Sequence, residues 1–235
     1  MAKASGCDFE NACFTFGEVS AIAEVNPSTL RNWATGNGQA HAPLITAVED
    51  PYWKDVLSIP LGIPLGGMVE AFVIAAIRKS GVSLQRIRAA INICEQSLEM
   101  EHVLASEAFY LQGPRLLYDA CFKDIATEAD GKWLFTPLID KYLSGIEFEA
   151  DGYAERVHLS GFEVADVVVD DRMCGGGPMF VAGGVRVEHV FERLCAGESL
   201  SCVAEDYNIP EDHIRDALRR ESAKTSFHLA KLPVA

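Results

Sequence analysis

The sequence predicts an α+β fold that is mainly α. It carries an N-terminal winged helix-turn-helix, a small central β section and a C-terminal three-helix helix-turn-helix module. Three observations predict this. Residues 14–35 hold two short amphipathic patterns separated by a brief break, residues 102–160 hold short β-prone runs, and residues 187–222 hold three successive helical patterns with their own caps. The expected organisation is a flexible tail over 1–13, a first domain over 14–100, a central linking or dimerising section over 101–164, a helix-turn-helix module over 165–222 and a tail over 223–235.

In the first motif Thr15 caps a helix and Glu18 stands three residues on. That spacing is a capping box, in which each side chain bonds the other's free backbone N–H. Val19, Ile22 and Ala23 share its inner face. Glu24-Val25-Asn26 makes the break, Asn26 caps the second helix, and Pro27 occupies the first position, where a missing N–H costs nothing. With Val19, Ile22, Val25, Leu30 and Trp33 turned inward, the second helix exposes Ser28, Thr29, Arg31 and Asn32. Short donors and acceptors with one guanidinium suit base edges and phosphates in a major groove.

Residues 40–66 contain Pro43, Pro51, Pro60 and Pro64, which predicts loops or short strands and room for a small wing. Leu65 to Lys79 is apolar at helical period, interrupted by Glu70 and stopped by Ser80-Gly81. Ser83 caps a further helix from Leu84 to Leu98 with Ile87, Ile91 and Cys94 on one face. Arg78, Lys79, Arg86 and Arg88 form the densest basic group of this half, suited to phosphates beside the first motif or to a solvated face.

Further on, His102-Val-Leu, Phe109-Tyr-Leu and Leu116-Leu-Tyr read as short strands around Gly113-Pro114. Residues 134–144 read as a helix, and Ile146 to Glu149 with Ala154 to Leu159 as a hairpin. Val167 to Asp170 and Met179 to Val181 read as strands about a glycine-rich turn. Then come a helix over Val187 to Ala196, a Ser199-capped helix to Tyr207, a turn at Asn208 and a helix from Pro210 to about Ser222. Arg215, Arg219, Arg220 and Lys224 gather on that last helix as candidate DNA contacts.

The excluded classes are as informative. No apolar run approaches the ~18–20 residues of a spanning helix, and Met1 to Glu10 lacks the apolar core of a signal peptide, which predicts a cytoplasmic protein. Seven cysteines with no CxxC spacing read as free thiols in a reducing compartment. Glycines 175–177 and 183–184 lack the Gly-Lys-Ser/Thr of a phosphate loop, and the histidines lack metal-ligand spacing. Asp166, Asp170 and Asp171 read as a turn-side acidic group. No acid, base or nucleophile can be assigned, so the expectation is a non-enzyme with no cofactor and no metal. A net charge of −14 opposes nucleic-acid binding in bulk, yet local patches decide DNA affinity, and an acidic surface also suits a basic protein partner.

Motif order then brings a family into view. Val25, Ser28-Thr29-Leu30-Arg31 and Trp33 resemble the opening of MerR-like DNA-binding domains, and Gly81-Val-Ser-Leu-Gln-Arg-Ile-Arg88 resembles the second MerR-type helix. The Gly–Pro turn, Gly183-Gly184, Arg186-Val187, Ala196-Gly197-Glu198-Ser199, Glu205-Asp206-Tyr207 and Ile214 to Leu218 resemble a small antitoxin-associated helix-turn-helix family. The chain departs from that family's pattern at Gly183-Gly184-Val185, ahead of Arg186, and in a longer loop after Pro178. Across nearly its whole length the sequence is similar to VapB-family antitoxins of the long, two-module type. That resemblance implies an antitoxin that binds a VapC-type PIN-domain ribonuclease, represses its own operon through operator DNA and acts as a homodimer. The competing reading is a MerR-like regulator that responds to a small ligand held in the central section.

Overall fold

A computed structural model describes residues 9–36, 42–51, 54–55, 61–111, 144–159, 161–170, 172–173 and 177–229, with backbone alone over 221–229. It divides into two compact units, Met1–Val157 and His158–Ala235. The fold class is the expected one, helical with a small antiparallel β component.

In the first unit, α1 (Phe16–Ala23) begins with the capping box complete in both directions and ends at Glu24 in the left-handed region. Helix α2 (Pro27–Thr35) begins where the Asn26 side chain accepts the Ser28 N–H. Helix α3 (Leu65–Lys79) is buried from Leu65 to Ile77 and forms the centre of the unit, with α1 against it. Helix α4 (Leu84–Leu98) starts at a Ser83 cap and turns Ile87, Ala90 and Cys94 inward. Between α2 and α3 the chain returns through two antiparallel bridges, Val48 with Gly62 and Phe14 with Ile63.

Three expectations are corrected. Residues 9–13 are not a loose end. Phe9 stacks on His102 with ring centroids 4.0 Å apart, and a Cβ on Gly66 would stand 2.0 Å from its ring, so only glycine leaves it room. Val103–Ala105 is a 3-10 turn and residues 107–111 are helical, where the sequence reads as strand. A three-residue apolar run fits either geometry, and packing of the turn against α3 and α4 decides it. The Leu116-Leu-Tyr run, Gly113-Pro114 and nearly all of the 134–144 helix lie outside the described residues, as do Cys7, Cys121 and Cys174. The hairpin stands: β1 (Ile146–Phe148) pairs antiparallel with β2 (Ala154–His158).

In the second unit, β3 (Val167–Val169), β4 (Met179–Phe180) and β5 (Val185–Arg186) pair antiparallel in succession. Gly183, at φ +83, turns the chain between β4 and β5. A Cβ there would lie 2.2 Å from the Tyr207 carbonyl oxygen, so the turn sits hard against the helix that follows. The helical part is α5 (Val187–Cys195), α6 (Leu200–Tyr207) and α7 (Glu211–Leu229). Ser199 caps α6, and Asn208 closes it in the left-handed conformation that asparagine tolerates. Helix α7 runs past the expected end near Ser222 to Leu229, where the good helix formers Glu221, Ala223 and Lys224 carry it on after the apolar period fades.

Candidate nucleic-acid interface

The helix-turn-helix of the first unit is held from inside. Val19 and Leu30 are fully buried, Trp33 is 3% exposed, and Ile22, Ala23 and Ala34 complete the contact between α1 and α2. Val25 is only half-buried. Burying a side chain of this size contributes roughly 1.5–3 kcal/mol each, enough to fix the angle between two helices too short to stand alone. Opposite that face, Ser28, Arg31 and Asn32 are exposed and Thr29 is half-buried. The Ser28 hydroxyl also bonds Asn26 Oδ1 at 2.8 Å, which ties it to the cap. The Arg31 guanidinium lies over the Phe16 ring at 4.9 Å, a cation–π contact that lays the side chain across the start of α1.

Of the other basic candidates in this unit, Lys79, Arg78 and Arg88 are engaged locally. Lys79 Nζ is 2.7 Å from Glu24 Oε2, linking the end of α3 to the turn of the motif. Arg78 donates to the Val82 carbonyl and Arg88 to the Ala42 carbonyl. Partial burial lowers the Arg88 pKa without threatening its charge. Arg86 is exposed on α4.

In the second unit the candidate arginines are met by carboxylates. Arg215 bonds Glu211 at 2.9 Å, and Arg219 lies 3.8 Å from Glu163 and 3.9 Å from Asp216. The Arg220 guanidinium covers the Phe162 ring at 4.4 Å. Arg193, absent from the sequence-derived set, bridges α5 to α6. It bonds Glu198 and, at 2.6 Å, Asp206, and those bonds, the Glu198 one foremost, hold its pKa above the ordinary value. Glu198 and Asp206 with Cys202 form an exposed group of metal-ligand type, and Arg193 sits against both of its carboxylates. The side chain of Lys224 lies outside the described residues, as does Asp171. Asp166 is bonded to His158 at the end of β2 at 2.7 Å, and buried Asp170 accepts the Arg172 N–H, a turn-forming bond.

Two buried carboxylates escaped the sequence reading. Asp216, 3% exposed on α7, accepts the backbone N–H groups of Glu163, Val164 and Ala165 at 2.7, 2.8 and 3.0 Å. Burial alone would raise its pKa. The N–H bonds, Val164 first, outweigh burial and hold the carboxyl below its ordinary value. Glu70 lies inside α3, 5% exposed. Its Oε2 accepts the Thr46 N–H at 2.6 Å and its Oε1 is 3.0 Å from His102 Nδ1. The only sequence signal was a single acid in an otherwise apolar run, with nothing nearby to name its partners.

This architecture defines a helix-turn-helix protein. A family model described as "Putative DNA-binding HTH domain" matches residues 12–91, and one described as "Protein of unknown function (DUF433)" matches residues 167–219. A curated relative, "Putative antitoxin VapB45" of Mycobacterium tuberculosis, is 30% identical over 230 residues, covering 89% of this chain and 94% of its own. The crystal structure of Rv2018 from Mycobacterium tuberculosis superposes with a TM-score of 0.73 at 31% identity, covering 88% of this chain and 98% of its own. The chain belongs to the VapB antitoxin family and carries an N-terminal helix-turn-helix domain.

Proposed function

We propose that this protein is the antitoxin of a two-gene pair, that it blocks a VapC-type PIN-domain ribonuclease by direct binding, and that it represses its own operon by seating α2 in the major groove of operator DNA. The observation that carries the DNA half is the exposed strip of Ser28, Arg31 and Asn32, with Thr29 at its edge, on a helix whose opposite face is locked by Leu30 and Trp33. The N-terminal part of such a helix is the part that meets base edges. Arg31 is the strongest base-reading candidate. Arg86, with Arg78, Lys79 and Arg88 once their present contacts rearrange, is assigned to phosphates, which position without specifying. Arg215, Arg219 and Arg220 are assigned to the packing of their own unit, because contact with phosphate would first have to break their present contacts. A homodimer matches the two-fold symmetry of most operators, and the acidic net charge of −14 suits a toxin with a basic contact face.

Two experiments test this reading separately. A labelled duplex from directly upstream of the reading frame should bind the full chain more tightly than a scrambled duplex at the same salt. Co-expression with the adjacent open reading frame should relieve the growth arrest which that frame causes alone. Equal affinity for both duplexes overturns the repressor role, and undiminished arrest overturns the antitoxin role.

A further inference from the structure

Behind the recognition helix the chain is pinned at successive points. The Trp33 carbonyl oxygen accepts the N–H of Leu44 at 2.7 Å and that of Ile45 at 3.4 Å. The next residue, Thr46, presses its carbonyl against α3 so closely that a Cβ on Gly67 would stand 2.1 Å away. Its N–H is taken by Glu70 and its hydroxyl lies 3.1 Å from His102 Nδ1. His102 is therefore the member whose ordinary pKa of 6.5 lies nearest neutrality in a set that also contains a buried acid and the segment leaving α2. Its backbone is in the left-handed region, at φ 52, uncommon for a residue with a side chain, and Phe9 covers its ring.

We propose that His102, Glu70 and Thr46 form a proton-operated latch on the segment that follows α2, engaged when the imidazole is charged. The DNA consequence rests on the groove-binding role proposed for α2. Among the described residues, the charged groups facing the ring are all carboxylates: Glu70 from α3, Glu95 from α4 and Glu101 from the turn before it. The Tyr153 hydroxyl, beside Phe9, donates to the Glu101 carbonyl. The hydrogen bond to Glu70 is the largest influence raising the His102 pKa, with burial opposing it. A neutral ring can keep one Nδ1–H bond, but it leaves the Glu70 carboxylate buried without a counter-charge, which burial penalises if nothing moves. The relief open to Glu70 is to let water in, which loosens its hold on the Thr46 N–H. Because the folded pKa lies above the ordinary 6.5, the latch is closed at and below that pH and opens as pH rises through the raised value.

The first arm of the test uses the unsubstituted full chain. Ring resonances of His102 and the amide resonance of Thr46 are followed by NMR from about pH 5 to about pH 8. The two must titrate with one midpoint, above 6.5; different midpoints, or a Thr46 amide that does not titrate, overturn the latch. The second arm measures binding of the upstream duplex over the same range at constant ionic strength. Affinity should fall by about fivefold or more towards high pH, and His102→Gln should flatten the profile. An unchanged profile in His102→Gln overturns the coupling to DNA. Should that variant not fold, the first arm decides the latch alone. Failure to bind the duplex at any pH defeats the DNA reading and leaves the latch to the NMR titration.

Discussion

The two units each present a pair of short helices joined by a tight turn, and they differ in what faces outward. In the first, the outer strip of α2 is Ser28, Thr29, Arg31 and Asn32, with no acid among them. In the second, the corresponding helix α7 opens with Glu211 and Asp212, and Arg215 and Arg219 behind them are paired to carboxylates. Local geometry is shared, while electrostatics are opposite. The comparison teaches that a helix-turn-helix shape fixes where a helix projects, and that side-chain charge decides whether a phosphate surface will accept it. The same contrast holds inside. The first motif relies on apolar burial, whereas the second unit adds to its apolar core a buried acid, Asp216, gathering the backbone of Glu163, Val164 and Ala165.

The largest expected effect sharpens that internal contrast. Trp33→Ala should lower stability by about 3–5 kcal/mol in urea unfolding, as expected for deleting a buried indole; a change near zero would mean that Trp33 does not hold the motif together. Asp216→Ala should come next, at about 2–3 kcal/mol, since the N–H groups of Glu163, Val164 and Ala165 lose their acceptor at roughly 1 kcal/mol each, with only the Ala165 bond fully buried. Its pH signature is distinct. The folded pKa lies below the ordinary 3.8, so this stabilisation is present above that pH and is lost as pH falls through the lower folded value. Asp216→Asn should flatten the acid limb of the Tm profile; an unchanged limb would show that other carboxylates govern acid unfolding. The smallest effect on stability is Thr15→Ala, about 1 kcal/mol from loss of the capping box, read as a small drop in Tm with affinity for the upstream duplex unchanged.

Much of this was legible in the sequence because it is local. The Thr15–Glu18 box, the Asn26-Pro27 start, the Ser83 and Ser199 caps and the Asn208 turn each place cause and effect within a few residues, and each forms as read. What was not legible depends on partners far along the chain. Phe9 reads as part of a tail because Gly66 and His102, which receive it, are distant in sequence. Glu70 reads as an interruption because its partners, Thr46 and His102, are on other segments. Asp216 reads as one more acid on a charged helix, since the N–H groups that it accepts lie some fifty residues earlier. The surroundings of the α7 arginines were hidden for a related reason: composition shows a basic cluster, and only geometry shows that Glu211 stands beside Arg215 and Glu163 beside Arg219.

The most direct measurement compares Arg31→Ala and Arg219→Ala on one upstream duplex at one salt concentration. Arg31→Ala should weaken specific binding by about 1–3 kcal/mol and blunt the preference over scrambled DNA, while Arg219→Ala should leave both almost unchanged. The opposite pattern, with Arg219 essential and Arg31 dispensable, would move the DNA contact to the second unit and contradict the account.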